Sequence, residues 1–264
     1  MTPSLPSKLR HLLEKSYPES RFGGFTDIDG TIAFYNRVNA LVKPTDTLLD
    51  LGCGRGRYLE DPIPYRREIR CLRGRVKKVI GADPSEEAAA NPNIDEFTLL
   101  DPLGRIPALA DASMDIVLCD WVLEHVLDPD LFFSEIGRVL RPEGRLCLRT
   151  TNARSYFGIA ARLVPEHFSK RLVLRVQQNR KAQDVFRTFY RCNTIGALRH
   201  KLHQFGFDAC VYGYDSEPLS LAFSGASWWF GVLHAKHAPR FLRPTIFAFA
   251  CLRSGDKRAV LLRA

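Results

Sequence analysis

A glycine-rich segment at residues 48–56 carries the clearest chemical signal in the chain. Its sequence is Leu-Leu-Asp-Leu-Gly-Cys-Gly-Arg-Gly, with glycine at positions 52, 54 and 56 and an acid, Asp50, just before them. Glycines let a strand turn tightly into a helix, and they let the backbone approach a ligand without a clash from Cβ. A dinucleotide fingerprint would require glycine at position 57, where this chain has arginine. The spacing favours a different nucleoside ligand, and a tight turn without any ligand is the alternative.

Acids beside the glycine loop and at the ends of the next strands indicate which ligand would fit. The carboxylate of Asp50 would repel a pyrophosphate but could accept hydrogen bonds from an α-amino group. Asp83 lies about 27 residues beyond Gly56, where an acid can hydrogen-bond ribose hydroxyls. Asp83 could instead cap a helix over 85–90. Asp101 could flank an adenine, although an acid before proline is also a common turn opener. Together these acids favour a nucleoside cofactor that carries an α-amino group.

Short apolar runs separated by helical patterns must position these residues. Apolar runs bounded by turn residues predict strands. They lie at Thr47–Leu51, Lys78–Ala82, Phe97–Leu100, Asp115–Cys119, Arg145–Thr150, Phe207–Tyr212 and Thr245–Leu252. Apolar residues recur at helical spacing in Asp128–Arg141, and Asn193–Phe205 also has a helical pattern. Strands that alternate with helices predict an α/β fold with a mostly parallel, doubly wound sheet.

The composition is that of a basic protein with an ordinary hydrophobic content. The 264 residues include 45% hydrophobic residues and carry a formal charge of +9, which suits one large domain with a buried core. The seven cysteines form no C-x-x-C pair. We therefore expect reduced thiols in a cytoplasmic protein, with neither disulfides nor a metal site. The segment Met1–Ser20 lacks the apolar core of a secretory signal.

With these motifs the chain resembles the class I S-adenosylmethionine-dependent methyltransferases, especially those of quinone biosynthesis and small-molecule metabolism. The motifs are LLDLGCGRG at 48–56, VIGADPS at 79–85, ALADASMDIVLCDWVLEHVLDP at 108–129 and EIGRVLRPEGRLCLRTTN at 135–152. Segments 21–42 and 184–194 are similar to methyltransferases encoded among glycan-assembly enzymes. The resemblance implies a Rossmann-like sheet of seven strands, with five parallel strands and a final antiparallel strand inserted beside the fifth.

The resemblance also implies where S-adenosylmethionine, and the product S-adenosylhomocysteine, would bind. Contacts are expected at Asp50, Gly52, Cys53, Gly54, Gly56, Asp83, Pro84, Asp101, Pro102, Cys119 and Asp120. Residues 1–45 are expected to form a helical region over the cofactor, and 46–264 the methyltransferase domain. Acceptor-side cap insertions are predicted at 152–192, after strand 5, and at 213–244, between strands 6 and 7. Pro62 and Pro64 depart from the family pattern and predict an interrupted or rebuilt helix after the glycine loop.

His125, just past the fourth predicted strand, is the candidate general base. A sulfonium methyl group is already electrophilic, so the protein mainly has to align the acceptor and, for a hydroxyl, remove its proton. Histidine has a suitable pKa for this near neutral pH, although a packing or capping role is the alternative. Other side chains could bind a sugar or anionic group or could lie on the surface: Tyr35, Arg37, Arg154, Tyr156, Arg187 and Tyr190.

The segment 218–235 contains no Asp, Glu, Lys or Arg and includes the aromatic run 228–230. Serines and glycines dilute it too much for a membrane span, which its length would barely allow. It predicts either a buried helix over the sheet or a membrane-surface patch flanked by Lys236, Arg240 and Arg243.

A basic run over residues 66–78 is compatible with more than one kind of partner and does not identify any of them. A solvated helix face is favoured there over contact with nucleic acid or membrane phosphates. We expect O-methylation of a glycan, glycolipid or related small metabolite in the cytoplasm, with or without peripheral contact to the inner face of the membrane. The alternatives are an RNA methyltransferase and a catalytically idle binding partner with this fold.

Overall fold

The computed structural model describes residues 7–101, 103–156, 158–159 and 187–254. These residues include a sheet with strands β1 Thr47–Leu51, β2 Lys78–Asp83, β3 Glu96–Leu99, β4 Met114–Asp120, β5 Leu140–Thr151, β6 Phe207–Tyr214 and β7 Thr245–Leu252. Every strand predicted from the sequence is present, and β1 and β7 have the predicted ends. The largest difference is at the start of β5, where the pairing with β4 is irregular between Met114 and Ile116.

The strand order across the sheet is β3-β2-β1-β4-β5-β7-β6. Strands β1 to β5 pair in parallel, and β7 lies antiparallel between β5 and β6. The prediction of a seven-stranded, mostly parallel sheet with an inserted antiparallel strand is therefore confirmed. Because the order reverses between β1 and β4, a crevice for a ligand is expected at the carboxyl ends of these two strands.

Helices cover both faces of the sheet. The helices that pack on it are α2 (Gly30–Leu41) and α3 (Pro64–Arg70) on one face, and α4 (Pro129–Val139) and α5 (Ile195–Gln204) on the other. Neighbouring residues of a strand point to opposite faces. In β1, Leu48 is buried on the α2–α3 side and Leu49 on the α4–α5 side. Asp50 therefore points to the α2–α3 side at the carboxyl end of β1.

Prolines and caps explain where these helices begin. The glycine loop is followed by a short 3-10 turn, and α3 begins only at Pro64, as the two prolines predict. Proline is tolerated in the first helical turn because its missing N–H would have no helical acceptor. The carboxylate of Asp128 accepts hydrogen bonds from the first N–H groups of α4, and Thr194 caps α5 in the same way.

The apolar segment 218–235 contributes most of a helix, α6 (Gly225–His237), that is divided between two environments. One side packs against α1 (Ser7–Ser16), where the Trp228 side chain is completely buried and its Nε1–H donates to Oγ of Ser16 at 2.8 Å. The prediction that this helix packs over the sheet is thus wrong, because its buried side packs against α1. The other side of α6 is exposed to solvent. No helix in the described ranges is long and apolar enough to cross a membrane.

The cysteines and the long insert complete the description of the fold. All seven cysteines are free thiols, and no cluster of His, Cys, Asp or Glu in the described part of the chain could hold a metal ion. Of the predicted insert at 152–192, residues 157 and 160–186 lie outside the described residues.

Candidate functional site

The glycine loop after β1 packs tightly at its first glycine and leaves space at its second. Gly52, Gly54 and Gly56 have left-handed backbones with φ of 74°, 52° and 79°, a conformation that glycine adopts without steric cost. A Cβ on Gly52 would lie 2.3 Å from Cγ2 of Val122, whereas a Cβ on Gly54 would meet nothing within 4 Å. Gly52 is therefore needed for packing, and Gly54 leaves room for a ligand against the loop.

Two buried polar side chains hold this loop in place. The carboxylate of Asp83, at the end of β2, accepts hydrogen bonds from the backbone N–H groups of Gly54 (3.0 Å) and Ser85 (2.9 Å). The side-chain amide of Asn91 donates to the carbonyl oxygens of Cys53 and Gly54 at 3.0 and 3.1 Å. Asp83 therefore lies directly beside the loop. Asn91 was not predicted, because no local motif links it to a loop that is distant in sequence.

Asp50, directly before the loop, is a half-buried acid without a partner among the described residues. Among the described residues, no hydrogen bond or ion pair reaches its carboxylate. Burial, followed by the nearby charge of Asp120, raises the pKa of Asp50 to about 7, and the charge of Arg70 opposes this shift without a direct contact. A ligand ammonium placed here would supply the missing positive charge. Asp50 and the space beside Gly54 thus fit a cofactor with an α-amino group.

Asp120, at the end of β4, is fully paired within the protein. Nε and Nη2 of Arg149 donate to its two oxygens at 2.6 and 2.7 Å, and the hydroxyl of Tyr35 donates to Oδ2 at 3.0 Å. Burial favours the neutral carboxyl, but the Arg149 guanidinium and its hydrogen bonds outweigh burial and lower the pKa of Asp120. The charged pair ties helix α2 to the carboxyl ends of β4 and β5.

Two further side chains beside this pair were not predicted as site residues. Trp121 has a left-handed backbone (φ 62°) and an exposed ring, whose centroid lies 5.1 Å from the guanidinium of Arg149. Such backbone strain clusters at functional sites. The Arg70 guanidinium lies 5.6 and 5.4 Å from the ring centroids of Tyr35 and Tyr58. Its Nη1 lies 4.0 Å from Oδ2 of Asp61, and the partly exposed guanidinium could attract an anionic group of a ligand.

The other predicted cofactor residues take different positions. The side chain of Cys53 packs against Gly81 of β2, and burial raises the pKa of its thiol. Pro84 is exposed directly after Asp83. The side chain of Cys119 is buried in the core on the α4–α5 side, so only its backbone is available at the carboxyl edge of the sheet.

Asp101 occupies the turn that its sequence context predicts. Its Oδ1 accepts hydrogen bonds from the backbone N–H groups of Leu103 (2.9 Å) and Arg105 (2.7 Å). This arrangement shapes the loop after β3, where an adenine would be flanked. Pro102, which was predicted with it, lies outside the described residues.

His125 lies where the chain returning from the insert meets the end of β4. Its Nδ1 lies 2.8 Å from the carbonyl oxygen of Arg187. Because a carbonyl only accepts, Nδ1 carries the proton, and the basic lone pair of the neutral ring is at Nε2. The backbone N–H of Phe189 donates to the carbonyl oxygen of Glu124 at 2.8 Å. The Glu124 carboxylate is buried and accepts from Oγ1 of Thr150 at 2.8 Å, so it supports the loop instead of facing solvent.

Three predicted acceptor-binding residues lie beside the groups just described. Tyr35 contacts Asp120, and the carbonyl of Arg187 fixes the ring of His125. Tyr190 follows in the same docked segment and has a left-handed backbone, with φ of 51°.

The other three predicted acceptor-binding residues lie elsewhere. Arg37 is exposed, and its charge acts on the hydroxyl of Tyr212 of β6, where it opposes the rise of the tyrosine pKa that burial causes. Arg154 is exposed at the start of the insert. The ring of Tyr156 packs edge-on to Phe230 of α6 at 6.1 Å, and burial is the main cause that raises its pKa to about 12.

A carboxylate–histidine pair behind α6 was missed by sequence reasoning. Nδ1 of His234, on α6, lies 2.9 Å from Oδ2 of Asp215, which follows β6. The ring of Tyr156 stands edge-on to the imidazole at 4.9 Å. The apolar character of the segment around His234 concealed this pair, because its partner belongs to a different element.

The basic run over 66–78 is largely neutralised within the chain. Nε of Arg66 donates to Asp29 at 2.6 Å, and Nη2 donates to Glu217 at 2.7 Å. Burial, followed by the charge of Asp29, raises the pKa of Glu217 to about 7. Nε of Arg73 donates to Asp95 at 2.8 Å. The predicted solvated face is therefore wrong for Arg66, which links three elements in a partly buried ion network.

Comparisons with known proteins agree with this geometry. Residues 49–148 match the family described as methyltransferase domain. A ubiquinone biosynthesis O-methyltransferase of Sinorhizobium fredii is 34% identical over 107 residues, which cover 40% of this chain and 41% of that protein. A protein of Aspergillus luteorubrus named as a probable methyltransferase is 29% identical over 201 residues, which cover 70% of this chain and 65% of that protein. The chain thus aligns with less than two thirds of the length of either relative.

Solved structures share the fold at low sequence identity. One chain of the complex between the Haloferax volcanii Trm112 methyltransferase activator and a proposed methyltransferase superposes with a TM-score of 0.53 and 16% identity, covering 96% of this chain and 100% of that chain. Residues 49–148 thus match a methyltransferase domain, and the strand order and the glycine loop agree with the resemblance of the sequence to the class I S-adenosylmethionine-dependent methyltransferases.

Proposed function

We propose that this protein transfers the methyl group of S-adenosylmethionine to a hydroxyl oxygen of a glycan, glycolipid or related small metabolite. The observation that carries the proposal is the half-buried carboxylate of Asp50, which has no ion-pair partner among the described residues and precedes the open space beside Gly54 in the same loop. Its negative charge complements the positive charge of the α-amino group of this cofactor. A relative named as an O-methyltransferase supports oxygen as the acceptor atom.

We propose the following roles for residues that bind the cofactor. The backbone at Gly54 approaches the ligand, and Asp83 binds the ribose hydroxyls with the oxygens that also hold the loop. A carboxylate has about four acceptor sites, so it can keep its backbone hydrogen bonds and accept from ribose. The turn at Asp101 borders the adenine. Asp50 and Arg70 bind the ammonium and carboxylate of the amino acid end.

Bound S-adenosylmethionine supplies an electrophilic methyl group on a sulfonium. For the reaction, the chain has to exclude water, align the acceptor oxygen in line with the methyl–sulfur bond and remove the hydroxyl proton. We propose that Nε2 of His125 takes this proton as the oxygen–methyl bond forms and the methyl–sulfur bond breaks. The hydrogen bond from Nδ1 to the Arg187 carbonyl holds the ring in the required tautomer.

The segment that follows the insert would help to bind the acceptor. Arg187 and Tyr190 lie on the same docked segment as the group that orients His125. Trp121 offers an exposed ring at the end of β4, and flat apolar surfaces of this kind suit the face of a sugar or quinone ring. A cytoplasmic location, at the inner membrane face for a lipid-linked acceptor, is part of the proposal.

RNA is not proposed as the acceptor, because much of the basic run that suggested it is occupied by internal ion pairs. Arg66 and Arg73 each meet carboxylates within the chain. Phosphate contacts would also predict a steep decrease of RNA affinity with salt, which a gel-shift series measures directly.

Calorimetric titration with S-adenosylmethionine and S-adenosylhomocysteine tests the shared premise of these roles. We expect binding by the wild-type protein and a large loss of affinity in Asp83→Ala. The absence of binding by folded wild-type protein would refute the methyltransferase proposal and favour a catalytically idle binding partner. Transfer of a radiolabelled methyl group to lipid, glycan, RNA and small-molecule fractions of a cell extract then identifies the acceptor class. Label that enters only the RNA fraction would contradict the proposed acceptor.

A further inference from the structure

The outward face of helix α6 carries large apolar side chains that are about half exposed to solvent or more. Trp229, Phe230 and Leu233 are 47%, 55% and 56% exposed, and Phe223, just before the helix, is 64% exposed. Positions 229, 230 and 233 lie on one side of a helix because of the 3.6-residue period. The buried residue Trp228 lies on the opposite side, against α1. We call the four exposed residues the α6 face.

This exposure needs an explanation, because the residues form a cluster. Single exposed apolar side chains are ordinary on protein surfaces, whereas clustered aromatic and aliphatic side chains mark interaction sites. A helix that is apolar on nearly every side is normally buried on every side. Helix α6 has its inner side covered and its outer side open, so a partner for the outer side is expected.

The charges around the α6 face indicate what kind of partner this is. Residues 218–244 contain no Asp or Glu. Lys236 in the last turn of the helix and Arg240 in the turn after it are exposed, and Phe241 beside them is 53% exposed. Aromatic side chains that lie beside cations, with no anions among them, match the boundary between the phosphates and acyl chains of an anionic bilayer.

We propose that the α6 face docks on an anionic lipid bilayer. Trp229, Phe230 and Leu233 insert at the level where headgroups meet acyl chains, and Lys236 and Arg240 contact lipid phosphates. Phe230 also packs on Tyr156, at the start of the segment that the proposed function assigns to the acceptor side. If that function holds, a lipid-linked acceptor would reach the enzyme from the surface on which it is docked.

Flotation of the full-length protein with vesicles tests the docking directly. Phosphatidylcholine vesicles serve as the neutral probe, and vesicles of phosphatidylcholine with phosphatidylglycerol serve as the anionic probe. We expect binding to the anionic vesicles that weakens as salt is added, and much weaker binding to the neutral ones. Equal binding to both vesicles, or none to the anionic vesicles, would overturn the proposal without any mutation.

Variants separate the apolar from the charged contribution. The triple substitution Trp229→Ser, Phe230→Ser and Leu233→Ser should lower binding by more than about tenfold, because each side chain loses apolar burial. Replacing Lys236 and Arg240 with glutamine should lower it about fivefold for each charge. Leu99→Ser and Lys77→Gln, on exposed positions toward the opposite edge of the sheet, are the matched controls and should bind as wild type does. Loss of binding in the controls to the same extent would contradict the assignment.

Tryptophan fluorescence identifies the surface that is in contact. Brominated lipids should quench wild-type protein, and Trp229→Phe should lose most of this quenching while it still floats with vesicles. Strong protection of Trp229 from acrylamide without lipid would mean that another part of the chain covers the face, which would overturn the proposal. A dimer that the triple substitution abolishes would assign the face to a second copy. All variants should retain S-adenosylhomocysteine binding, so a failure of docking is distinguishable from a failure of the proposed enzyme function.

Discussion

The protonation of Asp50 should make cofactor affinity depend on pH. In the ligand-free protein, burial and Asp120 raise the pKa of Asp50 to about 7, above its value in the unfolded chain. The neutral form is therefore favoured by folding, and the stability that this group contributes is present below pH 4 and lost as the pH rises through 7. A cofactor ammonium reverses this preference, because it stabilises the charged carboxylate.

The size of the effect follows from the fraction of Asp50 that is ionised. With a pKa of about 7, this fraction falls about 25-fold between pH 7.5 and pH 5.5. If binding requires the carboxylate, the affinity for S-adenosylmethionine should fall by about the same factor over this range. Below pH 6 it should fall about tenfold for each pH unit.

Calorimetry in buffers of different ionisation enthalpy measures both the affinity and the protons released. We expect wild-type protein to release a proton on binding at pH 6 and far less at pH 8. Asp50→Asn removes the titrating group with little change in shape. It should bind about 10–100-fold more weakly at pH 7.5, through loss of one charged hydrogen bond, with a much flatter pH profile. An affinity of the wild type that does not change with pH, or an Asp50→Asn variant with the same slope, would refute the role of Asp50.

Three other perturbations test separate parts of the site. Gly54→Ala and Gly74→Ala place Cβ in open space at left-handed positions, so each should lower the free energy of unfolding by about 1–2 kcal/mol. Only Gly54→Ala should also weaken S-adenosylhomocysteine binding. Equal binding by both variants would contradict a ligand at Gly54. His125→Gln should lower turnover by about 10²–10⁴-fold with unchanged cofactor affinity, and a wild-type rate would exclude the general base. Arg66→Met leaves two buried carboxylates unpaired and should lower stability by about 3–5 kcal/mol at pH 8, as measured by urea unfolding. The loss should shrink at pH 6, because the pKa of Glu217 is about 7, and an equal loss at both pH values would count against this ion network.

The sheet could be predicted from the sequence because its strands are buried on both faces and bounded by turn residues. The strands at 47–51 and 245–252 were predicted with the ends that the structure has. The glycine loop was also predictable, because its left-handed backbone positions require glycine and the spacing of these glycines is visible in the sequence. The start of β5 was not, because its first residues pair irregularly with β4.

The electrostatic partners at the site could not be predicted, because they depend on which strands and helices become neighbours. Asp120 was proposed for the cofactor, yet Arg149 binds it across the β4–β5 boundary. Asn91 and His234 act through contacts with residues far away in the chain. Local patterns indicate which side chains could do chemistry, but only the fold decides which of their charges are already paired.

Two charged side chains of the site complement the two charges of one ligand. Asp50 has no direct ion pair among the described residues, and the Arg70 guanidinium is partly exposed near it, whereas the amino acid end of S-adenosylmethionine carries an ammonium and a carboxylate. Arg70→Gln should therefore weaken binding of S-adenosylhomocysteine about tenfold or more but leave binding of methylthioadenosine, which has no amino acid end, nearly unchanged. Asp83→Ala should weaken both ligands, because both have the ribose. If Arg70→Gln weakened the two ligands equally, Arg70 would act only through the structure of the loop.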